Sequence, residues 1–377
     1  MDGAVPADLL EGEQASSPAD GNEGDLGLRN HPIAFTRTDL TDTSAFPARV
    51  HGRVFFSIGV EDFSCSGTVV TTPAQNAVLT AGHCVFDAPP PPGGGTGFVD
   101  NWAFVPGFRD PDGMGGNPPE MPFGTFDANT LLAPVGWTSA GSLAFDFAGA
   151  LLAPDASGNP VERVVGSRGI AFNQRRNQAY RSYGYPADPL DGFDGSRLFA
   201  CDSRYGGDAP VATTGPLPMG LGCDMTGGAS GGGWVAQNRF VESVNSFVLP
   251  SHPDVLYGPH LEIEARTLYG SGAGLGGWRC RSLTPTIVGT SAGETIVGTS
   301  GPDVIFAGAG NDVVKAGGKK DIVCGGAGRD RLKGGKGPDR LFGQKGPDRL
   351  FGGKGRDLCH GGPGRDRAAG CEIRRAL

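Results

Sequence analysis

The sequence predicts an all-β protein in two modules, an antiparallel strand-and-turn domain followed by a parallel β-roll built from repeats. Three observations lead there. From Ala48 to about Gly277, short apolar runs alternate with Gly- and Pro-rich turns, the texture of antiparallel sheet. From Asp303 to Asp366 an aspartate recurs every nine residues, so that each unit is one short strand and turn that buries its apolar side only by stacking on its neighbours. The charge also divides. Up to residue 284 there are 16 arginines, no lysine and 30 acids, a net of −14, whereas the remainder has 16 basic and 10 acidic residues, a net of +6. With 377 residues, 38% of them hydrophobic, the chain is long enough for two cores.

In chain order, residues 1–46 read as a disordered N-terminal or pro-segment, 47–277 as the antiparallel domain and 278–377 as the roll. Eight cysteines indicate an oxidising compartment and hence export. Met1 to Asn30 is acidic, with neither a basic n-region nor an apolar h-region, so it is not itself a signal peptide. An export signal is therefore expected upstream of Met1 or already removed. No run of about 18 apolar residues marks a membrane-spanning helix. VHGRVFFSIG (50–59) and NWAFVPGF (101–108) are expected strands, and 88–97 and 109–123 surface loops. RFVESVNSFVLP (239–250) is expected to be one strand.

Chemistry concentrates in three places. CDMTGGASGGGW (223–234) sets Ser230 among glycines at 227, 228, 231, 232 and 233, which give access to positive φ and let successive N–H groups converge on one point. CSGTVVTTPAQNAVLTAGHC (65–84) ends an apolar run in Thr80-Ala81-Gly82-His83-Cys84, and SLAFDFAGALL (142–152) carries Asp146 as a lone acid in an otherwise apolar strand. A buried carboxylate is costly unless hydrogen-bonded, so Asp146 asks for a partner. The TAGHC motif, the cysteine 19 residues before it, and the order His83, Asp146, Ser230 resemble the chymotrypsin-like family. The resemblance spans about Ala48 to Gly277. Through AFNQRRNQAYRSYGYPADP (171–189) it looks most like the glutamyl-endopeptidase-like branch of secreted bacterial trypsin-like peptidases.

That resemblance implies a two-barrel antiparallel fold and acyl transfer without a cofactor. Ser230 is the implied nucleophile, His83 the general base and Asp146 its orienting acid, with the N–H groups of Gly228 and Ser230 as the oxyanion hole. It also assigns Ser246 to hydrogen-bond the triad carboxylate, and Asn245, Ser246 and Phe247 to substrate binding. Ala229 stands where zymogens of the family carry an Asp, so activation through a buried N-terminus is not expected. Asn245 replaces the His of acid-specific members, and Phe247 the usual Trp. A preference for Glu is therefore not expected, and apolar or small side chains are. Cys65 with Cys84 and Cys201 with Cys223 are the expected bridges of this domain. The rival reading is a non-catalytic extracellular calcium-binding adhesion or surface protein with a remnant protease domain.

In the last module the aspartates are 303, 312, 321, 330, 339, 348, 357 and 366, in units such as GGAGRDRLK (325–333) and GGKGPDRLF (334–342). Ile305, Val314, Val323, Leu332, Leu341 and Leu350 follow their aspartates by two. The pattern resembles the GGxGxDxUx nonapeptide of repeats-in-toxin proteins, which implies Ca²⁺ held by these eight carboxylates and by turn carbonyls. Acids 18 residues apart should stack on one edge. Arginines beside them raise the alternative of Asp–Arg pairing in place of metal. Arg331, Arg349 and Arg367 should line one outer face, either simply solvated or as a stripe for an anionic cell-surface polymer; nothing points to nucleic acid. Cys359 falls in an inward slot and, with Cys371, is expected to staple the C-terminal cap. Cys280 and Cys324 remain as a further pair whose connectivity sequence alone does not decide.

Overall fold

The structure, a computed structural model, describes residues 5–6, 32–88, 97–111, 118–211, 213–270 and 274–376. It forms two compact units. The first runs to Val70 and takes in Ala74–Ser167 and Arg176–Leu268; the second holds Thr71–Pro73, Arg168–Arg175 and the residues from Tyr269 onward. Of the expected N-terminal disorder, residues 1–4 and 7–31 lie outside the described residues, as do 89–96 and 112–117 of the two expected loops. Phe35–Asp39 differs from that expectation. It is a strand, antiparallel to Phe199–Asp208, and just before it Ile33 buries its side chain in an apolar cluster with Val255 and Tyr257. A polar FTRTD run shows no such partner in the sequence; the edge of a neighbouring sheet supplies it.

The first unit begins with a closed barrel. Glu61–Val70 pairs with both His51–Ile58 and Ala77–Thr80. Antiparallel pairings through Ala148–Leu152, Phe126–Leu132 and Asp100–Pro106 then return to His51–Ile58. Inside are Val54, Val69, Val78, Phe104, Phe126 and Ala150, none more than 1% exposed. The second sheet of this unit orders Phe247–Leu249, His252–Gly258, Met219–Gly222, Phe199–Asp208, Ala179–Gly184, Gly233–Ala236 and Phe240–Val244, all antiparallel. The Cys201–Cys223 disulfide lies in its core beside Leu221, Trp234 and Leu256. The expected single strand 239–250 is broken at Asn245–Ser246, and that break serves the site.

The second unit is a parallel β-solenoid of about five turns over residues 287–375. Its two sheets alternate along the chain, and partners are 18 residues apart, as in Ile305 with Val323 and Leu332 with Leu350. The expected inward residues Ile305, Val314, Val323, Leu332, Leu341 and Leu350 have no accessible surface, and neither has Cys359, which is bonded to Cys371. The last rung is short, with Leu358 facing Ile373 at an offset of 15. Cys280 and Cys324 are bonded as well.

Candidate functional site

Ala77–Thr80 leads into a single 3-10 turn, Gly82–Cys84, and the Cys65–Cys84 disulfide ties that turn to the adjoining strand. His83 is thereby presented beside Asp146. The acid does not lie within a strand as expected: it ends the 3-10 turn Leu143–Phe145, ahead of the strand that begins at Ala148. At a turn the carboxylate has the reach to collect donors from separate segments. It accepts the backbone N–H of His83 at 2.8 Å, His83 Nδ1 at 2.9 Å and Ser246 Oγ at 2.5 Å, and is wholly buried. Three donors offset the cost of burying the charge, which explains how an acid persists in so apolar a setting. With Nδ1 donating to Asp146, the imidazole keeps its lone pair on Nε2. His83 Nε2 and Ser230 Oγ are both buried without a hydrogen-bond partner among the described residues.

The loop carrying Ser230 is held by its backbone. Ser230 O accepts from Ser66 N at 2.7 Å and Gly231 N donates to Asn245 O at 2.8 Å. Gly227 O accepts from Ala187 N at 2.6 Å, so the N–H on the far side of that planar peptide, belonging to Gly228, points the other way. Neither Gly228 N nor Ser230 N makes a backbone hydrogen bond among the described residues. The pair can therefore receive an oxygen. Gly228 has φ +87°, and a Cβ there would stand 2.7 Å from Tyr185 O, so both the conformation and the space require glycine. Only Gly228 and Gly231 of the five glycines use positive φ; Gly232 is needed because a side chain would run into Tyr183 O.

Ser66, which sequence reasoning did not single out, joins these parts. Its Oγ donates to Gly228 O and accepts from Tyr185 N, both at 2.9 Å, and its carbonyl accepts from Thr80 Oγ1 at 2.8 Å. A serine after a cysteine carries no pattern that marks this role.

Two assignments to substrate binding are corrected. Asn245 has no accessible surface, and its amide is saturated: Nδ2 donates to Tyr183 O and Ala229 O at 2.7 and 2.8 Å, while Oδ1 accepts from Ser182 Oγ and Trp234 Nε1 at 2.6 and 2.7 Å. Phe247 is equally buried, stacked on Tyr257 with ring centroids 5.1 Å apart. The strand break turns these side chains into the core, and Ser246 toward Asp146. Ser230 also has no accessible surface.

In the solenoid the acids form two ladders. Asp303 N donates to Asp321 Oδ1, Asp321 N to Asp339 Oδ1 and Asp339 N to Asp357 Oδ1, at 2.8–3.0 Å, and Asp312, Asp330, Asp348 and Asp366 are linked likewise on the opposite edge. Two acids missed by the sequence reading complete them. Glu294 N donates to Asp312 Oδ1, and Glu372 Oε2 accepts from Asp357 N. Glu294 was findable, nine residues before Asp303, but Glu372 falls off the nine-residue spacing. The second carboxylate oxygens of Asp321, Asp330, Asp339, Asp348, Asp357 and Asp366 are buried without a partner among the described residues. Oδ2 of Asp330 and the carbonyl oxygen of Gly343 flank Gly325 together, as Oδ2 of Asp339 and the carbonyl oxygen of Gly352 flank Gly334. Such clusters of buried hard oxygens fit a calcium ion. Asp303 is different, its Oδ2 being satisfied by the N–H and hydroxyl of Thr299 at 2.7 and 2.9 Å. Burial, with neighbouring carboxylates adding to it, pushes Asp321 and Asp348 up to about 7. No ladder acid forms an ion pair with an arginine among the described residues.

Comparisons with known proteins divide the chain in the same way. The RTX calcium-binding nonapeptide repeat matches in four copies, at residues 288–323, 297–332, 325–358 and 333–368. A glutamyl endopeptidase of Bacillus licheniformis is 25% identical over 197 residues, 52% of this chain and 51% of the relative; the chain thus spans about half the length of that curated relative. Among solved structures, protease Anisep from Arthrobacter nicotinovorans is 31% identical with a TM-score of 0.54, the match covering 63% of this chain and 99% of that one. The thermostable serine protease AL20 from an extremophilic microorganism is 34% identical with a TM-score of 0.50, over 58% and 94% of the two chains.

Proposed function

Since the chain belongs to the trypsin-like serine proteases through its first module and carries RTX calcium-binding nonapeptides in its last, we propose that it is a secreted serine endopeptidase with a calcium-loaded repeat tail. The observation that supports this reading is the buried chain Ser246–Asp146–His83, which leaves the Nε2 lone pair without a partner, while Ser230 Oγ and the N–H groups of Gly228 and Ser230 are likewise unpartnered among the described residues. Ser230 Oγ attacks the scissile carbonyl as His83 Nε2 takes its proton. The carbonyl oxygen becomes an oxyanion held by the N–H groups of Gly228 and Ser230, and Asp146 stabilises the imidazolium. His83 then gives the proton to the leaving amine, and water releases the acyl group by the same steps in reverse.

Asn245 stands where acid-specific members of the family carry a His, so no cation is present at that position for a glutamate side chain, and the preference proposed is for apolar or small residues. In the tail, the six buried Asp carboxylates with a free oxygen are the groups that would hold calcium, and the ion would supply the positive charge that lets them lie close together. Digestion of a peptide library tests the enzyme reading. Cleavage that disappears in Ser230→Ala and His83→Ala is expected, and full cleavage by the Ser230→Ala protein would refute it. Selectivity for Glu above about 100-fold, equivalent to about 2.7 kcal/mol in the transition state, would contradict the specificity assigned.

A further inference from the structure

From residue 285 onward the chain has sixteen cations and ten acids. Every one of those acids belongs to the ladders: the eight aspartates, Glu294 and Glu372. The cations are distributed in the opposite way. Fifteen of the sixteen are exposed, Lys333 being half-buried, and among the described residues none is paired with a carboxylate. Apart from the exposed Glu372, negative charge is thus turned inward, largely onto backbone N–H groups, and positive charge outward.

One sheet concentrates it. Parallel register sets Arg331, Arg349 and Arg367 in one column and Lys336 and Lys354 in another, with Lys315 on the strand before. Along the roll axis such columns repeat at the strand spacing of about 4.8 Å, where like charges repel. The opposite sheet is covered in part by the unit's own chain: Trp278 stacks on Phe306, Arg281 lies over Phe342, and Cys280 is bonded to Cys324. At the margin of the basic sheet, Lys319, Lys320 and Lys336 line an open surface groove. Lys319 holds φ +77° where other units have glycine, a strained place to keep a cation.

We propose that the outer face of this sheet is an interaction surface for a linear acidic polysaccharide, and that calcium strengthens it. The proposal rests on the calcium reading for its second part only. Each bound Ca²⁺ adds two charges to a stretch, residues 285–377, already at +6, without touching the outer cations. A column of cations along the axis suits an extended chain with an acid group on successive sugars. Single-stranded nucleic acid fits less well, because bases need aromatic platforms, and Phe351 on this sheet is covered by the Arg331 guanidinium.

The test is binding of the full chain to immobilised chondroitin sulfate, with neutral dextran and duplex DNA alongside, in calcium and in chelator. The expected result is salt-sensitive binding to chondroitin sulfate and none to dextran. Binding should weaken in chelator, and at least tenfold in an Arg331→Gln/Arg349→Gln/Arg367→Gln variant whose circular dichroism in calcium is unchanged. Absence of binding, an unaffected triple variant, or tighter binding to DNA would overturn the surface; equal binding with and without calcium would overturn the coupling. Circular dichroism of the same samples separates a roll that takes up no calcium, which fails the calcium reading, from a loaded roll that ignores the polymer, which fails this one.

Discussion

Asp146 draws donors from two distant segments of the chain, and the consequence of disturbing it follows from which atom does what. Asp146→Asn keeps the shape but lets the side chain donate to His83, favouring the tautomer with no lone pair on Nε2, so kcat should fall by about 10⁴ with the fold intact. Steady-state kinetics check it; a loss below tenfold would remove Asp146 from the role given to it. Ser66→Ala should act more gently, because it frees Gly228 O and Tyr185 N without deleting an oxyanion donor. Its expected signature is a drop of about tenfold in kcat with KM unchanged, and faster amide exchange at Tyr185. His83, Asp146 and Ser230 were legible in the sequence because each is chemically out of place: a histidine after an apolar run, an acid among apolar residues, a serine among glycines. Ser66 and Asn245 were not. Both are polar residues in β-rich segments, and their roles depend on where their side chains point, which at a strand break does not follow the two-residue alternation.

Among the elements, the acid ladders give the clearest dependence on pH. Asp321 and Asp348, raised to about 7 chiefly by burial, bind protons more tightly in the folded roll than in an unfolded chain. Their contribution to the metal-free roll is therefore full below the ordinary carboxylate range and is lost as pH rises through about 7. In chelator, thermal melts should show the roll more stable at pH 5 than at pH 8. Calcium affinity should run the other way, falling as pH drops and protons compete for the same oxygens; melts independent of pH in chelator would contradict this account. Stacking at 18 residues could be read from the spacing of the aspartates, and the inward aliphatic residues with it. The closing rung could not, because its offset is 15 and Glu372 takes an aspartate's place. The Cys359–Cys371 bridge closes a loop of about 12 residues at that rung, and its removal by Cys359→Ala and Cys371→Ala should cost the roll ~3 kcal/mol.

At the scale of the whole molecule, two units with different means of stabilisation should respond differently to metal. The first has closed apolar cores and two disulfides. The second gathers carboxylates a few ångströms apart around narrow rows of aliphatic residues, and should gain order from calcium. A calcium titration of the full chain by circular dichroism should therefore increase β signal, reversed by chelation, while peptidase activity persists in chelator. The division into modules was visible in composition, because lysine is absent before residue 315 and the nine-residue period starts with the roll. The strand at Phe35–Asp39 was not, since its partner is more than 150 residues away. The central claim is covalent catalysis at Ser230. Intact-mass analysis of the chain quenched during turnover of an activated ester should show one added acyl group, which peptide mapping assigns to Ser230 and which is absent in Ser230→Ala. An unmodified mass throughout turnover, or an acyl group on another residue, would contradict it.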